Sequence, residues 1–159
     1  MLGLITGSGF YDLPGVTDRR TPVLDTPYGP VELTLGTWNN CPVAFLPRHG
    51  SGHSVPPQRI NYRANLWALH DVGARAVLAT AVSGGINPSY ANGTLVLIDQ
   101  FVDQTSGRAD TFFDDQVRHT DMTEPYDPDL RGILRHVADE EGLAVVDGGT
   151  YVCANGPRF

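Results

Sequence analysis

Short apolar runs alternate along this chain with amphipathic stretches and glycine-bearing loops, and the alternation predicts its elements. Leu2–Ile5, Val31–Leu35, Val43–Leu46, Ala76–Ala79, Leu95–Ile98 and Ala144–Val146 are brief and rich in Val, Ile and Leu, which predicts strands. In Arg59–His70, Ile60, Ala64, Trp67 and Ala68 recur at helical spacing behind Pro56-Pro57, so a helix is expected there. Asp127-Pro128 supplies an N-cap and a first-turn proline. The stripe Leu130, Ile133, Leu134, Val137 and Ala138 follows, and Gly142 ends it. Alternating strands and helices, many of the strands continuously apolar, predict an α/β sheet covered on both faces. With no repeat, low-complexity tract or linker, residues 1–159 read as one domain.

Composition narrows the partners. At 159 residues, 41% hydrophobic and 18% charged, the chain reads as a globular protein able to bury a sizeable core. A formal charge of −7 with 11 scattered basic residues, all of them Arg, argues against a nucleic-acid face. Cys41 and Cys153 read as free thiols in a reducing compartment. No apolar stretch approaches the ~20 residues of a membrane span, and the first residues lack the basic start of a secretion signal. A cytoplasmic protein without membrane contact is expected.

The chemistry is concentrated at strand exits. Val43–Leu46 empties into Arg48-His49-Gly50, which offers a rigid fork of donors and an imidazole to a phosphate-sized dianion. Leu2–Ile5 leads into Thr6-Gly7-Ser8-Gly9, and Ala76–Ala79 into Thr80-Ala81-Val82-Ser83-Gly84-Gly85. Three such ends read as one anion site assembled from separate loops. Thr6–Gly9 is neither a dinucleotide fingerprint, since Asp12 stands where its third glycine would be, nor a P-loop. Either its backbone N–H groups and the Ser8 hydroxyl face an anion, or it is a simple glycine turn.

Other motifs keep two readings. His49 and His53 have metal-like spacing, but glycines at 50 and 52 disfavour the helix that would align them, and no metal site is expected. His53 reads as a loop residue near a substrate or as plain surface. His119 lies in a polar loop. Asp99 and Asp103 are conceivable as a glycosidase pair, but structural hydrogen bonds to loops fit them better. Tyr62 and Trp67 read as core and interface residues.

Taken together, these residues resemble the methylthioadenosine phosphorylase branch of the purine nucleoside phosphorylase superfamily. The likeness includes Ile5-Thr6-Gly7-Ser8-Gly9, Thr26-Pro27-Tyr28-Gly29, Arg48-His49-Gly50 and Asn61–Leu69. It continues through Asp99–Asp103, Thr105–Arg108 and Gly156-Pro157-Arg158-Phe159. Ser106-Gly107-Arg108 and Gly84-Gly85-Ile86 resemble bacterial methylthioinosine or methylthioadenosine enzymes more than the animal one.

The resemblance implies a mixed central sheet flanked by helices and a pentosyltransferase. In that reaction phosphate attacks C1′ of a purine nucleoside, of the 5′-methylthioadenosine or 5′-methylthioinosine type, and the free base departs. It implies that Ser8, Arg48, His49, Thr80 and the Ala81 backbone hold phosphate. Phe159 would pack on the purine, His53 would lie in the loop over the site, and His119 would approach a neighbouring subunit's substrate. No cofactor is implied, because inorganic phosphate is a co-substrate, and a homotrimer is expected. Thr6 and Ser83 stand where the family commonly has glycine. The chain corresponds to the N-terminal three-fifths of a family member, so a fragment, a split enzyme or a partial chain is expected. Phosphorylase activity on inosine or guanosine, hydrolysis on the same scaffold, and a non-catalytic nucleoside- or phosphate-binding remnant are the alternatives.

Overall fold

The computed structural model describes residues 1–156, which group into two compact units: Met1–Ser83 with Asp110–Phe112, and Gly84–Ala109 with the chain from Phe113 onward. The first unit runs β1 (Leu2–Thr6), β2 (Thr17–Arg20), β3 (Val23–Thr26), β4 (Gly29–Glu32), β5 (Thr34–Trp38), β6 (Cys41–Pro47), α1 (Tyr62–Asp71) and β7 (Ala76–Ala79). Five strands form a mixed sheet in the order β2-β5-β6-β1-β7. Within it β6, β1 and β7 are parallel, and β5 and β2 join antiparallel.

β6 explains why its sequence lacks a polar alternation. Val43 and Phe45 pack with Leu13 on one face, while Ala44 and Leu46 meet Ala64, Ala68 and Leu69 of α1 on the other. A strand buried on both faces must be apolar at every position. Full burial of each large side chain contributes about 1.5–3 kcal/mol, so this strand is the centre of the first core.

Two expected elements differ in detail. Val31–Leu35 is not one strand. The chain breaks at Leu33, whose N–H donates to the Pro22 carbonyl at 3.3 Å, and passes from the β3–β4 hairpin into the main sheet. Val31, Leu33 and Leu35 are all buried in one cluster, so the two-residue period survives the break. The helix expected from Arg59 begins instead at Tyr62. Asn61 caps it, its side chain accepting from Ala64 N at 3.1 Å, while Pro57–Arg59 forms a separate 3₁₀ turn and Ile60 is extended. The cap also fastens the hairpin, because Asn61 Nδ2 donates to Tyr28 O at 2.6 Å.

The second unit contains β8 (Leu95–Leu97), β9 (Gln100–Gln104), α2 (Pro128–Glu140), β10 (Val145–Asp147) and β11 (Thr150–Ala154). They form two parallel pairs, β10 with β8 and β11 with β9. Asp127 and Pro128 start α2 as their types predict: the Asp127 carboxylate accepts from Leu130 N at 2.9 Å. Arg131 and Arg135, one helical turn apart, donate to the two Asp147 oxygens at 2.5 and 3.0 Å and tie α2 to the end of β10. No helix among the described residues is long and apolar enough to cross a membrane.

Candidate functional site

Because β6, β1 and β7 are parallel neighbours, their C-terminal ends open on one sheet edge, where α/β sheets place their ligands. The ladder continues past the strands and brings the three exits to one level. Arg48 N donates to Thr6 O at 2.9 Å, and Thr80 N donates to Ile5 O at 2.9 Å. The Arg48 side chain then crosses the edge and donates from Nη1 to Thr80 O at 2.5 Å.

Gly7 makes that crossing possible. A Cβ at Gly7 would land on the Arg48 guanidinium, so any side chain there would displace the fork. Thr6, buried beside it, donates from its hydroxyl to Phe10 O at 2.6 Å and closes the turn around Ser8. The threonine found where the family commonly has glycine therefore has a structural task.

His49 is 7% exposed, and its Nδ1 lies 3.0 Å from Val55 O. A carbonyl oxygen only accepts, so Nδ1 carries the hydrogen and Nε2 is the ring atom left to meet a ligand. The Val55 N–H returns to His49 O at 2.8 Å, which closes the intervening loop. His53, exposed at the end of that loop, folds back and stacks on His49 with ring centroids 4.6 Å apart. The Tyr11 hydroxyl meets His53 Nδ1 at 2.7 Å. The i, i+4 histidines thus lie face to face instead of converging on a point. Among the described residues no group of three His, Cys, Asp or Glu side chains could hold a metal ion.

Ser8, Thr80 and Ala81 are exposed in the same unit as Arg48, His49 and His53. His119 is exposed in the second unit, and Phe159 lies outside the described residues. Asp99 and Asp103 are engaged by their own unit: Asp99 accepts from Gly149 N at 3.1 Å and Asp103 from Thr105 N at 2.8 Å. The Thr105 backbone and side-chain hydrogen bonds, with the nearby Arg108 charge, outweigh slight desolvation and hold the Asp103 carboxyl below its ordinary range. These contacts fit structural carboxylates, not a glycosidase pair.

Sequence reasoning passed over Tyr11 and Val55. Tyr11 had one visible signal, an aromatic residue in the polar exit of a glycine turn, but its partner lies 42 positions away.

Residues 1–159 match the family model of the phosphorylase superfamily. The chain belongs to this superfamily. It is 44% identical to the 6-oxopurine nucleoside phosphorylase of Pyrococcus furiosus, with 99% of this chain and 62% of that protein covered. It is 48% identical to the S-methyl-5'-thioadenosine phosphorylase of Mycolicibacterium smegmatis, with 100% and 60% covered. The fold is similar to methylthioadenosine phosphorylase from Schistosoma mansoni in its apo form, with a TM-score of 0.91 and 34% identity over 99% of this chain and 64% of that one. The chain therefore spans about three-fifths of the length of these superfamily relatives. The mixed sheet with helices and the superfamily agree with the reading of the motifs, and a methylthioadenosine phosphorylase is among the proteins this chain resembles.

Proposed function

We propose that this chain supplies the phosphate-holding part of a purine nucleoside phosphorylase acting on a 5′-methylthioadenosine or 5′-methylthioinosine type of substrate. The convergence of Gly7, Arg48 and Thr80 at three adjacent parallel strand ends is the observation that carries the reading. A phosphate dianion held by donors from the Arg48 fork, the Ser8 and Thr80 hydroxyls and the Ala81 N–H, with His49 Nε2 accepting from its one remaining O–H, would lie beneath the sugar. One of its oxygens attacks C1′, the C1′–N bond breaks, and the bonding electrons leave with the base. Positive charge develops on the sugar in the transition state, so a clamped dianion is at once nucleophile and counter-charge. Losing a charged hydrogen bond at such a clamp costs about 1.5–3 kcal/mol, or roughly ten- to a hundredfold in phosphate affinity.

The proposal extends to the features that the sequence suggests. Residues 1–159 act as part of one catalytic domain, a reading supported by the unbroken match of the superfamily model. His53 covers the site, Phe159 packs on the purine, and His119 reaches a neighbouring subunit's substrate in a cytoplasmic homotrimer. Inorganic phosphate is the only helper required, and neither nucleic acid nor membrane is a partner. The relatives' names also favour a second substrate class, because the Pyrococcus protein is named for 6-oxopurine nucleosides. The test is release of free base from methylthioadenosine, methylthioinosine, inosine and adenosine by the protein carrying this chain, with and without phosphate. Phosphate-dependent release supports the proposal. Release without phosphate indicates a hydrolase, and no release a binding remnant.

A further inference from the structure

His53 is built into its position by more than loop length. Its backbone is left-handed at φ 60°, a conformation that few non-glycine residues adopt. Gly50 and Gly52 on either side of Ser51 are also left-handed, at φ 71° and 64°, which lets the chain double back within five residues. The loop is closed at its base by the two His49–Val55 hydrogen bonds. Its outer end is held by the Tyr11 hydroxyl, which comes from the exit of β1 and not from the loop itself. Tyr11 also meets the His53 ring edge to face, with centroids 5.8 Å apart.

These contacts form one line: Tyr11 holds His53, His53 stacks on His49, and His49 is fixed at Nδ1 by Val55. A single hydrogen bond at Nδ1 does not by itself fix the plane of the His49 ring. The stacked His53 plane, 28° from parallel, restricts the tilt and therefore the direction of Nε2. We infer that Tyr11 and His53 are positioning residues, which lock the ring of His49 so that its Nε2 faces the anion site beside Arg48. Their importance for phosphate rests on the function proposed above; the positioning itself can be read without a ligand. The arrangement also links two strand exits, so that the β1 turn, which cradles Arg48 at Gly7, sets the His49 ring through Tyr11.

The test is Tyr11→Phe, which keeps the ring and removes only the hydroxyl. Imidazole ¹⁵N signals of His49 would be recorded in the wild type, in Tyr11→Phe, in His53→Phe and in the double variant, and each would be titrated with inorganic phosphate. The inference predicts that Tyr11→Phe moves the His49 ring signals and weakens phosphate binding about three- to tenfold, the worth of one neutral hydrogen bond. It predicts that Tyr11→Phe adds nothing in the His53→Phe background, since the two residues act in series. Unchanged His49 signals in Tyr11→Phe would overturn it, even if the melting temperature fell, because Tyr11 would then be only a structural residue. Moved His49 signals in a protein that does not bind phosphate would support the positioning and count instead against the proposed function.

Discussion

The two units of this chain bury their apolar residues very differently. In the first, Val43, Ala44, Phe45 and Leu46 of β6 are at most 2% exposed, and Leu33 and Leu69 are as deeply buried. In the second, Ala138 is the one buried apolar residue among those described, while Ile133 and Val137 of α2, Leu95 of β8 and Val102 of β9 remain well exposed. The hydrogen bonds of the second unit are nonetheless specific. Asn155 donates from Nδ2 to both Ser106 O and Ser106 Oγ at 3.1 Å, and its Oδ1 accepts from Ser106 N at 3.3 Å. Polar contacts can give a segment its shape, but hydrophobic burial supplies most of its resistance to opening. The candidate anion site is located where the burial is.

Core truncation should break this contrast most visibly. Phe45→Ala is expected to cost about 3–5 kcal/mol, from lost transfer energy and the cavity left behind. In the polypeptide of residues 1–159 Ile133 is 58% exposed, so Ile133→Ala in that polypeptide should cost no more than about 0.5 kcal/mol. Urea denaturation of both variants checks the pair, and equal losses would show that the second unit has a core of comparable weight. The next effect is smaller. Asp127→Ala removes the α2 cap and should cost about 1 kcal/mol, read as faster amide exchange in Leu130 and the first turn. Exchange in α1 should not change.

The smallest effect is a titration. The folded-state pKa of Asp103 is depressed, so the turn it makes with Thr105 contributes fully at neutral pH and loses that contribution as pH falls through the lowered value. The Thr105 amide signal should therefore titrate with a midpoint below the ordinary aspartate value of about 3.9. A midpoint at or above that value would show that the hydrogen bonds do not favour the ionised carboxylate.

The same contrast explains what could be read from the sequence. β6 was legible because two-sided burial writes an uninterrupted apolar run, and α2 because Asp127-Pro128 and Gly142 mark its limits by residue type. β2 was not: its sequence, Thr-Asp-Arg-Arg, is exposed at every position, and only pairing with β5 around a bulge makes it a strand. The Asn39-Asn40 turn between β5 and β6, with φ of 47° and 61°, was a readable signal for a two-residue hairpin that apolar runs alone do not weigh. In the site, Arg48 and His49 stood out as polar residues directly after a buried strand. Tyr11 and the packing role of Gly7 did not, because each depends on a partner distant in sequence that the parallel order of β6, β1 and β7 brings alongside.

The proposed phosphate site joins the ends of β1, β6 and β7. It is tested most directly by titrating this chain with inorganic phosphate while following its backbone amides by NMR. One saturable transition shared by Gly7, Ser8, Arg48, His49, Thr80 and Ala81 is expected. Gly7→Ala should weaken that transition at least tenfold by displacing the Arg48 fork, on the scale of about 1.5–3 kcal/mol for a lost charged hydrogen bond. Shifts scattered over both units without saturation, or a Gly7→Ala variant that binds phosphate as the wild type does, would contradict it.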